Sequence, residues 1–168
     1  MTARALAAAA ALVALTSGCG AVNRMMHDGV SDPITPEQSK EQVVAAAKEI
    51  VSTLGLRTIG PVFWRASCND QGDPPFQGRV TIGYPLAADF EASDAEVAGF
   101  VRTLRNSGWT TDSDFATHAT AVTKNGVTAV FAPQNAAQST NGVDLYGECR
   151  DVTTTKDTKG ATEDLDLG

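Results

Sequence analysis

Two stretches of this chain combine a helix-start signal with a single apolar stripe. A helix with one apolar stripe must lie on something. Thr35-Pro36-Glu37-Gln38 offers a capping hydroxyl, a proline at the first helical position and a glutamine placed to cap in return. Val43, Ala47, Ile50, Val51 and Leu54 then recur at helical spacing, while Lys40, Glu41 and Lys48 can stay in water. Gly55 supplies a stop, so a helix is predicted over 36–54. Ser93-Asp94-Ala95-Glu96 is a second capping box, ahead of Val97, Phe100, Val101 and Leu104. Arg102 and Arg105 suit the negative end of the helix dipole, Gly108 is placed as the C-cap, and Trp109 is expected to pack under the helix end.

The segments between and after the helices read as strands. Gly60-Pro61 is a turn, after which Val62, Trp64, Ala66 and Cys68 share one side of a strand. A turn-rich loop runs from Asn69 to Gly78, and Arg79 to Tyr84 alternates with Val80, Ile82 and Tyr84 on one face. Thr117 to Lys124 and Val127 to Phe131 flank Asn125-Gly126, a strong hairpin signal, because a type I′ turn needs positive φ at both central positions. Pro133 to Gly142 is a polar loop and Val143 to Cys149 the last strand. The order is α-β-β-α-β-β-β. Hairpin-like connections imply a mostly antiparallel sheet, and two one-sided helices need one of its faces. The expected fold class is an α+β two-layer sandwich over residues 36–150. Residues 151–168 are rich in Thr, Lys and Asp, and are expected to form a disordered tail.

The N-terminus sets location. Met1 to Arg4 is a short basic start and Ala5 to Leu15 an uncharged apolar run. That run is too short to cross a hydrocarbon layer of about 30 Å and fits a secretory signal. Thr16-Ser17-Gly18 supplies small residues for cleavage, and Cys19 follows. Small residues directly before a Cys at the end of such a run resemble the lipobox of bacterial lipoproteins. The usual Leu three residues before the Cys is Thr16 here, with Leu15 one place earlier. The resemblance implies a signal peptide over 1–18, a diacylglyceryl anchor on Cys19, and residues 19–35 as a flexible tether. Gly29, Ser31, Asp32, Pro33 and Pro36 break any regular pattern there. With Cys19 acylated, Cys68 and Cys149 remain as a pair suited to a disulfide in an oxidising compartment.

Charge narrows the partners. With 13 basic against 20 acidic side chains the formal charge is −7, and loss of Arg4 with the signal makes it more negative. Such a surface repels nucleic acid and anionic headgroups. Attachment to the membrane is therefore expected to come from the lipid.

The chain offers little chemistry. His27 lies in the tether and His118 at the start of a predicted strand, so no converging metal-ligand set is expected, and no cofactor motif occurs. Ser113, Asp114 and His118 are close in sequence without a nucleophile-elbow motif, and His118 with Asp112 or Asp114 is the one conceivable catalytic grouping. No catalytic residues are assigned and no enzyme activity is expected. Trp64, Phe100 and Trp109 are the candidates for an apolar pocket between helices and sheet.

The lipobox, the amphipathic helix, the Trp-containing strand running to a Cys, Phe90 to Asp94 leading into a second helix, and the closing Gly147-Glu148-Cys149 are together similar to small actinobacterial, mycobacterial-type cell-envelope lipoproteins of the LppA type. The resemblance implies a lipid-anchored α+β domain on the outer face of the cytoplasmic membrane, with no assigned activity. The expected role is a binding or interaction module for an envelope lipid or protein. The alternative is a passive accessory of an envelope complex.

Overall fold

The computed structural model describes residues 29–168 except 112–114, 116, 118 and 133. The elements in chain order are α1 (Pro36–Leu54), β1 (Ile59–Ser67), β2 (Phe76–Tyr84), α2 (Phe90–Asn106), β3 (Thr110–Thr111), β4 (Thr120–Lys124), β5 (Val127–Phe131), β6 (Asn141–Tyr146) and β7 (Glu163–Asp164). The strands form one sheet in the order β3-β4-β5-β6-β2-β1-β7, with every neighbouring pair antiparallel. The expected α+β architecture with a helix-covered antiparallel sheet is the one observed.

α1 forms where its signals place it. The Gln38 N–H donates to Thr35 Oγ1 at 3.1 Å, and the Thr35 N–H donates to Gln38 Oε1 at 2.9 Å, a reciprocal capping box. The β4–β5 hairpin turns at Asn125 (φ 50°) and Gly126 (φ 76°), as its type requires. α2 begins earlier than expected. Its N-cap is Asp89, whose Oδ1 accepts from the Ala92 N–H at 2.8 Å, so Ser93 lies inside the helix and is buried. Asp and Ser cap equally well, and the first available one won. β2 likewise starts at Phe76, within the stretch expected to be loop, because Phe76 continues the alternation and bridges to Asp151.

The core lies between the helices and one sheet face. Val43, Ala47 and Ile50 of α1 and Leu104 of α2 are fully buried there. They meet Phe63, Val80, Ile82, Val122, Val143 and Leu145 of the sheet. Each of the Val, Ile, Leu and Phe side chains among them contributes about 1.5–3 kcal/mol of hydrophobic stabilisation. Cys68, just after β1, and Cys149, just after β6, form a disulfide across a sequence separation of 81, with Cα atoms 6.0 Å apart. The loop-entropy model puts such a link at about 4–5 kcal/mol.

The expected disordered tail is a correction. Residues 151–168 fold back along the sheet. Asp151 exchanges backbone hydrogen bonds with Phe76. Its buried carboxylate accepts from the Thr153 N–H, the Thr154 N–H and both threonine hydroxyls. β7 pairs with β1 (Val62↔Asp164, Phe63↔Glu163), Lys40 of α1 bridges to Glu163 at 2.5 Å, and Leu167 is buried in the core. Two leucines spaced by two residues, on a segment anchored by Asp151, outweigh its polar composition.

Candidate ligand-binding region beneath the second helix

The two helices meet the sheet differently. α1 lies close, because Gly78 and Gly147 leave room for it. A Cβ at Gly78 would sit 2.6 Å from the Ser39 carbonyl, and one at Gly147 would sit 2.9 Å from a Val43 methyl. In the resulting contact the Gly78 N–H donates to Ser39 Oγ at 2.8 Å. Farther along, the Glu148 N–H donates to Gln42 Oε1 at 3.2 Å, and Gln42 Nε2 donates to Glu148 Oε2 at 2.8 Å. Glu49 accepts from the Trp109 indole at 3.1 Å and from Lys124 at 2.7 Å. The named polar groups under α1 all have partners.

Beneath α2 they do not. Ser93 Oγ, the Tyr84 hydroxyl, Glu96 Oε2 and both side-chain polar atoms of Asn141 are out of solvent without a hydrogen-bond partner. Ser93, Tyr84 and Asn141 are 1%, 2% and 2% exposed. Tyr84 and Asn141 face each other across the β2–β6 ladder. Burial, and after it the charge of Glu96, pushes the Tyr84 phenol up to about 12. The hydroxyl is therefore a neutral donor at any ordinary pH.

Two hollows flank α2. One, of about 430 Å³, opens between α2 and the β4–β5 side and is lined by Asp94, Val97, Ala98, Val101, Ala119 and Phe131, with Thr120. The other, of about 210 Å³, lies where α2 approaches the α1–β1 loop. Its walls include Leu54, Leu56, Arg57, Tyr84, Glu96 and Phe100. Phe100 stands between them, its ring 5.8 Å from Tyr84 edge-on and 6.0 Å from Phe131.

The expected pocket of Trp64, Phe100 and Trp109 is a correction, because the three do not converge. Val62, Trp64 and Ala66 share a side of β1 as read, but Phe63 takes the helix side and the others face away. On that helix-free face the Arg79 guanidinium lies 5.0 Å from the Trp64 ring and 4.0 Å from the Tyr146 ring, and Phe115 packs on Tyr146 at 5.1 Å. Alternation fixes which residues share a face but not which face the helices cover. Trp109 is 2% exposed and hydrogen-bonded to α1, a core residue. Only Phe100 belongs to the region under α2. Cys19, Asp112, Asp114 and His118 lie outside the described residues.

Among the described residues no three His, Cys, Asp or Glu side chains gather to hold a metal ion, and no helix is long and apolar enough to cross a membrane. The groups that escaped the sequence reading did leave a signal. Tyr84 and Ser93 are polar-tipped residues at positions whose periodicity marks the core face, whereas Asn141 falls in the stretch expected to be a polar loop.

A family model described as "Putative lipoprotein LppJ" matches residues 35–167. Curated proteins of that name from two strains of Mycobacterium tuberculosis are 35% identical over 155 residues, covering 86% of this chain and 81% of theirs. The Mycobacterium bovis protein of that name is 34% identical over the same span. No solved structure matches the chain. The family match extends through the C-terminal segment that completes the sheet, and the kinship with mycobacterial lipoproteins expected from the sequence is met.

Proposed function

Because the chain belongs to the LppJ family of lipoproteins, we propose that it is a membrane-anchored binding module that takes a ligand between α2 and the sheet. In this reading Cys19 carries a diacylglyceryl group after loss of residues 1–18, and the domain stands on the outer face of the cytoplasmic membrane. Two acyl chains hold a protein stably where one holds it only marginally. The role is binding, without chemistry of its own.

One observation carries the reading: the polar groups of Ser93, Tyr84, Glu96 and Asn141 under α2 have no partner in the protein. Leaving a buried donor or acceptor unmade costs about 1–3 kcal/mol each. A fold that satisfies the polar groups under α1 and leaves a cluster unmet under α2, beside two hollows, is arranged to be completed by a ligand.

A second reading rests on the helix-free sheet face, where Trp64, Arg79 and Tyr146 form a stack of aromatic and cationic groups of the kind enriched at protein interfaces. Native mass spectrometry of residues 20–168, exported from an actinobacterial host and purified without detergent, separates the two. The α2 reading expects an added mass that survives gentle conditions and leaves on activation. The bare chain less two hydrogens would overturn it and turn attention to the sheet face.

A further inference from the structure

The smaller hollow beside α2 carries opposite charges on its two sides. Arg57, in the α1–β1 loop, and Glu96, on α2, both line it. They are not bridged to each other, and among the described residues neither has an oppositely charged group within 4.0 Å. Glu96 and Tyr84 both line this hollow, and Glu96 Oε2 and the Tyr84 hydroxyl lie out of solvent without a hydrogen-bond partner. The rings of Tyr84 and Phe100 stand beside the carboxylate side. A carboxylate with aromatic faces around it is the chemistry that holds an ammonium group, and an exposed guanidinium is the chemistry that holds a phosphate.

Exposed apolar side chains lie near the hollow in the chain, and one of them, Leu86, lines it. The three large hydrophobic side chains exposed among the described residues, Ile59, Leu86 and Phe90, are 42%, 39% and 55% exposed. All come from this end of the molecule. Ile59 opens β1 opposite Gly83, Leu86 follows β2 and also lines the hollow, and Phe90 opens α2.

We infer that the hollow between Arg57 and Glu96 receives the headgroup of a zwitterionic membrane lipid that carries a primary ammonium next to a phosphate, with Ile59, Leu86 and Phe90 resting on the lipid surface around it. The inference rests on the proposed binding role of the α2 layer and names its ligand. The ammonium meets the Glu96 carboxylate beside the Tyr84 and Phe100 rings, and the phosphate meets Arg57. An anionic lipid is disfavoured, because it would bring a second negative charge toward Glu96 and toward a chain of formal charge −7.

The tether permits this orientation. The chain is first tied down where Arg150 Nε donates to the Asp32 carbonyl at 2.5 Å and the Ile34 N–H donates to the Arg150 carbonyl at 3.0 Å. From Cys19 to Asp32 an extended chain reaches at most about 45 Å. α1, of 19 residues, carries the fold about 28 Å from its N-terminus to the end where the hollow opens. The far end of the domain can therefore turn back to the membrane that holds Cys19.

The test is co-sedimentation of the exported chain carrying Cys19→Ser with vesicles of phosphatidylcholine alone, or of phosphatidylcholine containing phosphatidylethanolamine or phosphatidylglycerol. The expected result is at least fivefold tighter binding with phosphatidylethanolamine. Glu96→Gln and Arg57→Gln should each abolish that gain, and Lys48→Gln, on the exposed side of α1, should leave it intact. Soluble O-phosphoethanolamine should compete, which marks the headgroup as the recognised part. Equal binding to all three vesicles, a preference for phosphatidylglycerol, or a gain that survives in either pocket variant would overturn the inference. A ligand retained in the native mass spectrum without the vesicle preference would sink the headgroup assignment and spare the binding role. Neither a retained ligand nor a vesicle preference would sink both.

Discussion

Ser39 and Ser93 hold the same place in two helices. Each is the fourth residue of its helix, each is 1% exposed, and each points at the same sheet. Ser39 accepts a hydrogen bond from the Gly78 backbone, whereas Ser93 has no partner. The difference extends over the whole of each layer. Under α1, glycines let the helix close on the sheet, and named polar side chains are met by named partners. Under α2, hollows flank the helix, and Tyr84, Glu96 and Asn141 join Ser93 in lacking partners. One helix closes on the sheet with its polar groups met, and the other is left incomplete, the feature on which the proposed binding role rests. Elements that take part in binding are commonly the less stable parts of a fold.

Glycine substitutions should break the comparison most strongly. Gly78→Ala places a methyl group 2.6 Å from the Ser39 backbone carbonyl, so α1 must shift as a unit. The expected loss is about 1–3 kcal/mol of stability in denaturant titration, the scale for overpacking. Gly99→Ala on α2 meets nothing nearer than the Arg102 side chain at 3.8 Å. There the better helix propensity of alanine should add stability of up to about 1 kcal/mol. Equal losses at both positions would contradict the difference between the layers.

A smaller effect should appear at alkaline pH. Burial and Glu96 raise the folded phenol of Tyr84 to about 12, whereas the unfolded one ionises near its ordinary value of 10. The folded state therefore favours the protonated form. Its contribution is fully present below about pH 10 and is lost as the pH rises from there toward 12. Thermal melts across that range should decline more steeply for the native chain than for Tyr84→Phe. At neutral pH the variant should be equally stable or slightly more so, because it removes an unmet hydroxyl. Parallel declines would show that Tyr84 is not the buried group described.

Much of the supporting layer was legible in the sequence, because its signals are local. Thr35 with Gln38, Pro36 and Asn125-Gly126 act over a few residues, and the structure meets them as read. What was missed depends on distant parts of the chain. Trp64 was placed with Val62 and Ala66 correctly, but Phe63 on the same short strand is also large and apolar, so alternation alone could not say which side the helices cover. The tail misled because two of its few apolar residues, Leu165 and Leu167, pack on the core of a segment whose start is held by the Asp151–Phe76 bridge. The candidate site was the least legible part. Arg57 and Glu96 lie in separate elements and share a hollow only through the way α2 sits beside α1. The trace it did leave was polar residues at core-facing positions, Ser93 in the Val97–Phe100–Leu104 stripe and Tyr84 in the β2 alternation.

The most direct measurement is the thermal unfolding of Ser39→Ala and Ser93→Ala side by side. Ser39→Ala strands the Gly78 N–H and should cost about 1–3 kcal/mol, a drop of several degrees in Tm. Ser93→Ala should leave Tm unchanged or raise it, because it removes a buried hydroxyl that has no partner. If both variants lose the same stability, the two helices do the same work, and the division between a supporting layer and a binding layer is wrong.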